Sequence, residues 1–552
     1  MPATRYSKGA RVRSTKVPGR VTAAALAATV AVLGPGLTPV TAVAQPSDAT
    51  AWKPPPLDSS TAPPDDGGGH GSIAYEKSKE CVKRKLGATV QVQNAPWGQD
   101  YLQIRQAQEL AKAKRGSAGG GVRVAVIDTG VRAHPGLSDR LEAGGDYVTA
   151  TGDGTEDCDG HGTEVAGIIA GRTGPDIGFT GVAPDSRIVT IRQSSQNYKK
   201  PEKTAAPPAA PSTGAPPPGG SGQPQPPSQS QSQLPPSQSG GGPAAGTGPQ
   251  QQGGSGGRQQ GDGEGSAGTV DTLAKAVRRA ADHANMVGGV INMSVDNCRS
   301  SAGGLITPGE RNLQAAIHYA VAEKNIVVVA AAGNKSEGCP QNDQADPNQP
   351  KTVVTPPWFS NEVLSVGAID KTGGIADFSI RGPWVSVAAP GTDIISLDPA
   401  EGSSELANQT IEDGKEQTIQ GTSFAAPYVS GVVALVRAQF PNLNAAQVMH
   451  RITSTAQHPG ANGGRDNFVG YGVVNPIAAM TAIVPQEEGI TLPGDPPPDN
   501  SLPELPTKNW TPMVVALAGT GGGLIALLVT LFVVHTIRRN RPEGGGGTRK
   551  PA

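Results

Sequence analysis

Three residues have the types and settings that acyl-transfer chemistry needs. Ser423 lies in Gly421-Thr-Ser-Phe-Ala-Ala-Pro427, a small-residue run followed at once by an apolar helical pattern over 428–440. Gly421 permits backbone angles that other residues resist, so Ser423 is expected at a sharp turn opening a helix. Backbone N–H groups and the helix dipole favour negative charge there. A serine so placed can attack a carbonyl, but only with a base and a carboxylate to activate it. Val122-Arg-Val-Ala-Val-Ile-Asp-Thr-Gly130 is a near-continuous β-branched run, the mark of a strand buried on both faces. Asp128 falls at its carboxyl end, where α/β sheets place their sites. His161 opens a compact helix from between two glycines, in Asp159-Gly-His-Gly-Thr163. Taken singly, Asp128 reads as a turn aspartate and His161 as a structural histidine. Together with Ser423 they supply the carboxylate, the base and the nucleophile.

The elements that must hold these residues alternate along the chain. Strands are expected over 122–128, 187–192, 290–294, 326–332, 363–369 and 385–389, with a short one at 394–395. Helices are expected over 97–114, from His161, over 270–284 (capped by Thr269), over 310–323, after Ser423 and over 444–454. The alternation predicts an α/β fold with a mostly parallel central sheet and helices on both faces. Gly333-Asn334 sits at the carboxyl end of the 326–332 strand. Residues 193–268 are a Pro/Gln/Ser/Gly tract without hydrophobic periodicity, expected to be a disordered surface insert. Residues 45–71 read as an extended or disordered lead-in, and the acids from Asp153 to Asp159 as solvated charge.

Lys and Arg number 46 against 47 Asp and Glu, so no basic excess points to nucleic acid. The basic clusters stand at the two ends. Six Lys and Arg precede the apolar run 21–33, and Ala42-Val43-Ala44 fits a cleavage site, so residues 1–44 read as a signal peptide. Residues 484–512 form a Pro-rich linker, and 513–535 are apolar enough to span a bilayer. Arg538, Arg539 and Arg541 follow, which puts the tail 536–552 in the cytoplasm and the bulk of the chain outside it. Cys81, Cys158, Cys298 and Cys339, in an exported chain, suggest two disulfides with three possible pairings. Their spacing offers no zinc site, and no acidic loop is nominated for calcium; no metal or cofactor is expected.

The blocks Val-Ile-Asp-Thr-Gly, His-Gly-Thr-Glu-Val-Ala-Gly, Ala-Ala-Ala-Gly-Asn and Gly-Thr-Ser-Phe-Ala-Ala-Pro, in that order, resemble the subtilase family. The order Asp, His, Ser is the one subtilisin uses. The resemblance implies a subtilisin-like three-layer fold over 121–483. Ser423 would then be the nucleophile, His161 the general base, Asp128 its orienting carboxylate and Asn334 an oxyanion donor. Ser294, Val295 and Asp296 would line one edge of the substrate cleft; Ala331, Ala332 and Gly333 would line the S1 pocket. Many subtilases carry Gly where Asp296 stands, which leaves the depth and charge of S1 open.

A narrower resemblance covers the whole layout. Signal peptide, subtilase domain, Pro-rich linker, one C-terminal span and a basic tail look like the mycosins, the membrane-anchored subtilases of type VII secretion systems. The phrases Phe378-Ser-Ile-Arg-Gly-Pro-Trp-Val-Ser-Val-Ala-Ala-Pro-Gly391 and Gly421-Thr-Ser-Phe-Ala-Ala-Pro-Tyr-Val-Ser-Gly431 look like theirs. The family implies the pairings Cys81–Cys158 and Cys298–Cys339. It also implies that residues 45–120 wrap the catalytic domain. The expected function is a serine endopeptidase on the periplasmic side of the inner membrane, acting on polypeptides and attached to a type VII complex. The alternative is a structural component of that complex whose proteolysis is dispensable for secretion. An inactive binding module is a poor third reading, since no member of the triad is missing.

Overall fold

Six of the expected strands and one that no apolar pattern marks, Leu141–Asp146, build one seven-stranded sheet. The computed structural model describes residues 53–58, 61–201, 258–259, 267–303, 306–343, 349–412, 414–488 and 511–539. The signal peptide expected over 1–44, most of the insert and of the linker, and the tail past 539 lie outside the described residues. The strands that matter for the site are β1 (Arg123–Asp128), β2 (Leu141–Asp146), β3 (Arg187–Arg192), β4 (Val290–Met293), β5 (Val295–Ser300), β6 (Val327–Ala331), β7 (Val363–Ile369) and β8 (Val385–Pro390). All but β5 join the main sheet, in the order β8-β7-β6-β4-β1-β3-β2. Every pairing in it is parallel. The chain leaves β1 for β2 and β3 on one side and returns to β4 on the other. The order therefore reverses at β1, and the crevice outside its carboxyl end is where such sheets bind ligands.

Strand alternation divides the interior in two. On β1, Val124 and Val126 enter one core, while Ala125 and Ile127 enter the other. The first core is closed by helices α1 (His161–Ala170) and α4 (Thr422–Gln439), through residues such as Ile168, Ile169, Val429 and Val433. The second is closed by α2 (Val270–Asp282) and α3 (Pro308–His318), through Leu273, Val277, Leu313 and Ile317. The result is the expected three-layer, subtilisin-like α/β arrangement. Thr269 and Thr307 each cap their helix with a reciprocal capping box, which satisfies N–H groups that would otherwise be orphaned.

Two stretches are more ordered than their composition suggests. Residues 193–200 were assigned to the insert on missing periodicity, yet Tyr198–Lys199 pair with Glu76–Lys77. Ser195 Oγ donates to Asp159 Oδ2 at 2.5 Å, and Gln193 Nε2 to the Thr269 carbonyl at 3.1 Å. Polar side chains hold this stretch, so a hydrophobic pattern could not reveal it. Further along, Arg258–Gln259 pairs in parallel with Val295 and Asp296 of β5. The lead-in is likewise anchored through its backbone. The Tyr147 hydroxyl donates to the Asp66 carbonyl at 2.7 Å, and Gln314 Nε2 to that of Pro55 at 3.0 Å.

The N-terminal segment is fastened at several points. Lys83–Lys85 pairs with Gln409–Glu412, and the helix Ile104–Arg115 buries Ile104, Ala107 and Ala111. The disulfides are Cys81–Cys158 and Cys298–Cys339, the two pairings the family resemblance implies. Separately, Thr511–Arg539 is one helix whose 520–539 portion has a mean hydropathy of 1.9, enough by length and composition to cross a membrane.

The Cys81–Cys158 bridge closes a loop of 77 residues, for which loss of the cross-link costs about 2–5 kcal/mol. The Cys81→Ser/Cys158→Ser double variant is expected to unfold at a clearly lower temperature in calorimetry. An unchanged midpoint would show that the bridge fastens nothing.

Candidate active site

All the candidate side chains gather at the carboxyl end of the sheet. Asp128 ends β1, Ser294 follows β4, and Asn334 lies just past β6. Asp128 is fully buried; its Oδ1 accepts the Thr129 N–H at 2.7 Å and lies 2.7 Å from His161 Nδ1. A carboxylate on Nδ1 fixes the proton there and leaves Nε2 as the acceptor. The two residues meet because α1 comes unusually close to the end of β1. A Cβ at residue 162 would fall 2.0 Å from the Gly130 carbonyl oxygen, so only glycine fits after His161.

Two carboxylates given no part in the site by the sequence analysis hold the first turn of α1. Asp157 accepts from Gly160 N–H (2.7 Å), Thr163 N–H (2.8 Å), the Thr163 hydroxyl (2.7 Å) and the Thr129 hydroxyl (2.8 Å). The expectation of solvated charge is wrong here: Asp157 is 2% exposed and Asp159 0%. The signal was the acid preceding a glycine-led helix start, which is where a cap belongs. Glu164, one turn into α1, takes the Arg84 guanidinium at 2.6 Å. Arg84 also donates to the Asp159 carbonyl at 3.1 Å and the Thr410 hydroxyl at 2.7 Å. Burial pushes the carboxyls of Asp157 and Glu164 upward; for Glu164 the Arg84 charge acts the other way.

Ser423 stands in the first turn of α4. Gly421 has φ 151° and ψ 158°, a region essentially reserved for glycine, as the sharp turn requires. Pro427 lies four residues after Ser423 and has no N–H, so the Ser423 carbonyl receives no helical hydrogen bond from it. The Ser294 hydroxyl fills that role at 2.8 Å. It is held in turn by Asn292 Nδ2 (2.9 Å), whose Oδ1 accepts from Ser430 at 2.8 Å. Ser294, expected at the substrate, thus has its hydroxyl committed to the helix that carries Ser423. Asn334 is oriented by a similar logic. Its Oδ1 accepts from the Thr422 N–H at 3.0 Å and the Thr422 hydroxyl at 3.2 Å, which leaves Nδ2 free.

Four buried atoms of these side chains have no hydrogen-bond partner among the described residues: Asp128 Oδ2, His161 Nε2, Ser423 Oγ and Asn334 Nδ2. His161 and Ser423 do not bond each other in this state. The imidazole instead lies against the neighbouring Phe424 ring, with centroids 4.9 Å apart. Native proteins rarely leave such groups unpaired, and each exception calls for an explanation. A base, a hydroxyl and an amide donor left open together are what an acyl-transfer site holds in reserve. Ser423 itself is 0% exposed and His161 3%.

The remaining residues assigned to the cleft divide by face. Val295, Ala331 and Ala332 bury their side chains in the two cores, so only their backbone is left for a substrate. Asp296 is the exception. It is 1% exposed, neither carboxyl oxygen has a partner among the described residues, and burial pushes its carboxyl up to about 7.

Comparison with known proteins bears on this site. The Subtilase family profile matches residues 119–472. Mycosin-1 of Mycobacterium tuberculosis is 38% identical over 451 residues, covering 80% of this chain and 84% of that one. Mycosin-1 of Mycolicibacterium smegmatis is 36% identical, covering 79% and 83%. Among solved structures, MycP1 from the ESX-1 type VII secretion system superposes with a TM-score of 0.61 at 36% identity, covering 78% of this chain and 97% of that one. A chain of an intact ESX-5 inner membrane complex gives 0.60 at 34% identity, covering 88% and 100%.

Asp296 carries a pH dependence whose sign is fixed. Its ordinary value is 3.8 and its folded value about 7, so between these the folded chain holds a proton that the unfolded chain has lost. Stability from this group therefore falls as pH rises from about 4 to about 7 and is level above. Asp296→Asn removes the effect. The variant's unfolding midpoint is expected to gain on that of the wild type across this window and then hold a constant lead; parallel pH profiles would contradict it.

Proposed function

The chain belongs to the subtilase family and, within it, to the mycosins, and on that footing we propose that Ser423, His161 and Asp128 form its catalytic triad. Membership makes the protein a serine protease; the residue roles are our reading. Ser423 Oγ attacks the scissile carbonyl carbon while His161 Nε2 takes its proton. The tetrahedral oxyanion accepts hydrogen bonds from Asn334 Nδ2 and the Ser423 N–H. The C–N bond then breaks, and the same proton passes from Nε2 to the leaving amine. A water repeats the sequence on the acyl-enzyme, giving its proton to His161, and Ser423 leaves with that proton. The 2.7 Å contact between Asp128 and His161, with Nε2 left open, is the observation that carries this reading.

The setting supports an extracytoplasmic protease anchored by one helix. Two disulfides need an oxidising compartment, and the apolar helix ends in Arg538 and Arg539. Similarity to a chain of the ESX-5 inner membrane complex supports attachment of this protein to a type VII secretion complex, with secreted polypeptides as substrates. One observation favours a second reading, a scaffold whose proteolysis is dispensable. The nucleophile is 0% exposed, and Arg258–Gln259 occupies the open edge of β5 beside it.

Two experiments separate these. With a peptide library, Ser423→Ala is expected to abolish cleavage. Asn334→Ala should lower kcat about 10²–10³-fold with little change in KM, because its donor serves the transition state. Cleavage that survives Ser423→Ala would end the triad reading. In cells, secretion that survives Ser423→Ala but not deletion of the chain favours the scaffold; loss in both favours proteolysis as the required act.

A further inference from the structure

One buried ion pair plays no part in the proposed reaction, yet it sits on the helix that carries His161. Glu164 and His161 stand three residues apart on α1, so their side chains share a face, and the glutamate leans back toward the helix start. Both of its oxygens face one guanidinium. Arg84 Nε lies 2.6 Å from Oε1, and Nη2 lies 3.4 Å from Oε2. The same guanidinium holds the Asp159 carbonyl and packs against residue 160, where a Cβ would come 3.5 Å from Arg84 Cζ. The Arg84 side chain is 5% exposed and that of Glu164 0%. A full positive charge is thus buried beside the residue that precedes His161, and Glu164 is the carboxylate set against it. The other charged groups here have partners of their own. Asp128 reaches His161 Nδ1 from β1, and Asp157 takes four donors. Asp159 accepts the Ser195 hydroxyl at 2.5 Å and the Gln196 N–H at 2.9 Å. Arg132 donates to the Asp157 carbonyl at 3.4 Å. Asp157 and Glu412 act on Arg84 only through their fields; among the described residues its one ion pair is with Glu164.

We propose that Glu164 is a positioning residue for the reaction: as a carboxylate it balances the buried Arg84 charge, so that His161 can accept the Ser423 proton without a bare guanidinium beside it. The proposal rests on the protease reading above and assigns a further residue to that same site. Attack on the scissile carbonyl turns the imidazole into a cation. A guanidinium stays charged at any working pH, and an unbalanced one in a dry site opposes a second cation nearby. Burial pushes the Glu164 carboxyl up, whereas Arg84 and, more weakly, the His161 charge draw it down, so the three groups are coupled. Stability alone does not account for the pair, because the desolvation of two buried ions often exceeds their attraction.

The test measures kcat/KM against pH for the full-length chain in detergent, with a peptide that the wild type cleaves. The acid limb of that profile reports proton uptake by the essential base of the free enzyme. Glu164→Gln keeps the shape of the side chain and removes its charge, leaving Arg84 unbalanced. Its acid limb is expected to move down by about one pH unit, with kcat lowered several-fold and KM little changed. Arg84→Met/Glu164→Gln removes both charges and is expected to return the limb to its wild-type position. An unmoved limb in Glu164→Gln overturns the proposal. A shift that persists in the double variant overturns it too, since lost packing and not charge would then be the cause. Should Glu164→Gln not fold, Glu164→Asp and Glu164→Asn, equal in size, repeat the comparison. The Asn limb is expected below the Asp limb, and equal limbs overturn the proposal. If the folded wild type cuts no peptide, the protease reading fails first and this proposal falls with it.

Discussion

The proposed nucleophile depends on a hydrogen bond that its own helix cannot make. Pro427 removes the N–H that would reach back to the Ser423 carbonyl, and the Ser294 hydroxyl supplies the missing donor at 2.8 Å. An orphaned buried carbonyl costs about 1–3 kcal/mol, so the substitution of one donor for another is not optional. It also ties the first turn of α4 to the end of β4. The relay from Ser430 through Asn292 to Ser294 brings the constraint back to α4 about two turns later. The strand, the turn and the serine are thereby locked as one piece. Gly421 sets the entry angle, and Thr422 turns the Asn334 amide so that its donor faces the same space.

The proposed base, His161, is held by a second, mostly electrostatic frame. Asp157 gathers four donors at the start of α1, and Arg84 pins Glu164 one turn later. Arg84 comes from the N-terminal segment, close to Cys81, whose disulfide partner Cys158 precedes His161 by three residues. We read this as the reason for a fastened N-terminal extension: it stiffens the helix that carries His161. Breaking a buried ion pair by removing one partner typically costs about 3–5 kcal/mol, because the other charge is left stranded. Loss of Arg84 would therefore be felt at the imidazole, though Arg84 touches no reacting atom.

Much of this was legible in the chain, and the exceptions have physical causes. The strand 363–369 stands where the pattern put it, because burial of its whole length on both faces leaves few other choices. The placement of Asp128, His161, Asn334 and Ser423 was legible because each ends a strand or opens a helix beside glycine. Asp157 was not, since buried and solvated acids look alike in sequence until their donors are known. The stretch 193–200 was missed because polar hydrogen bonds leave no periodicity. Ser294 was noticed for its place in the cleft, while its bond to the Ser423 carbonyl could be read only from Pro427, a residue with no chemistry of its own.

The proposed triad makes Ser423 a hydroxyl nucleophile activated by His161. A fluorophosphonate probe applied to the purified full-length chain, followed by mass-spectrometric mapping of the adduct, tests it most directly. One adduct is expected, on Ser423, and its formation is expected to be lost in His161→Ala. No adduct at Ser423, or labelling as fast without the histidine as with it, would contradict it.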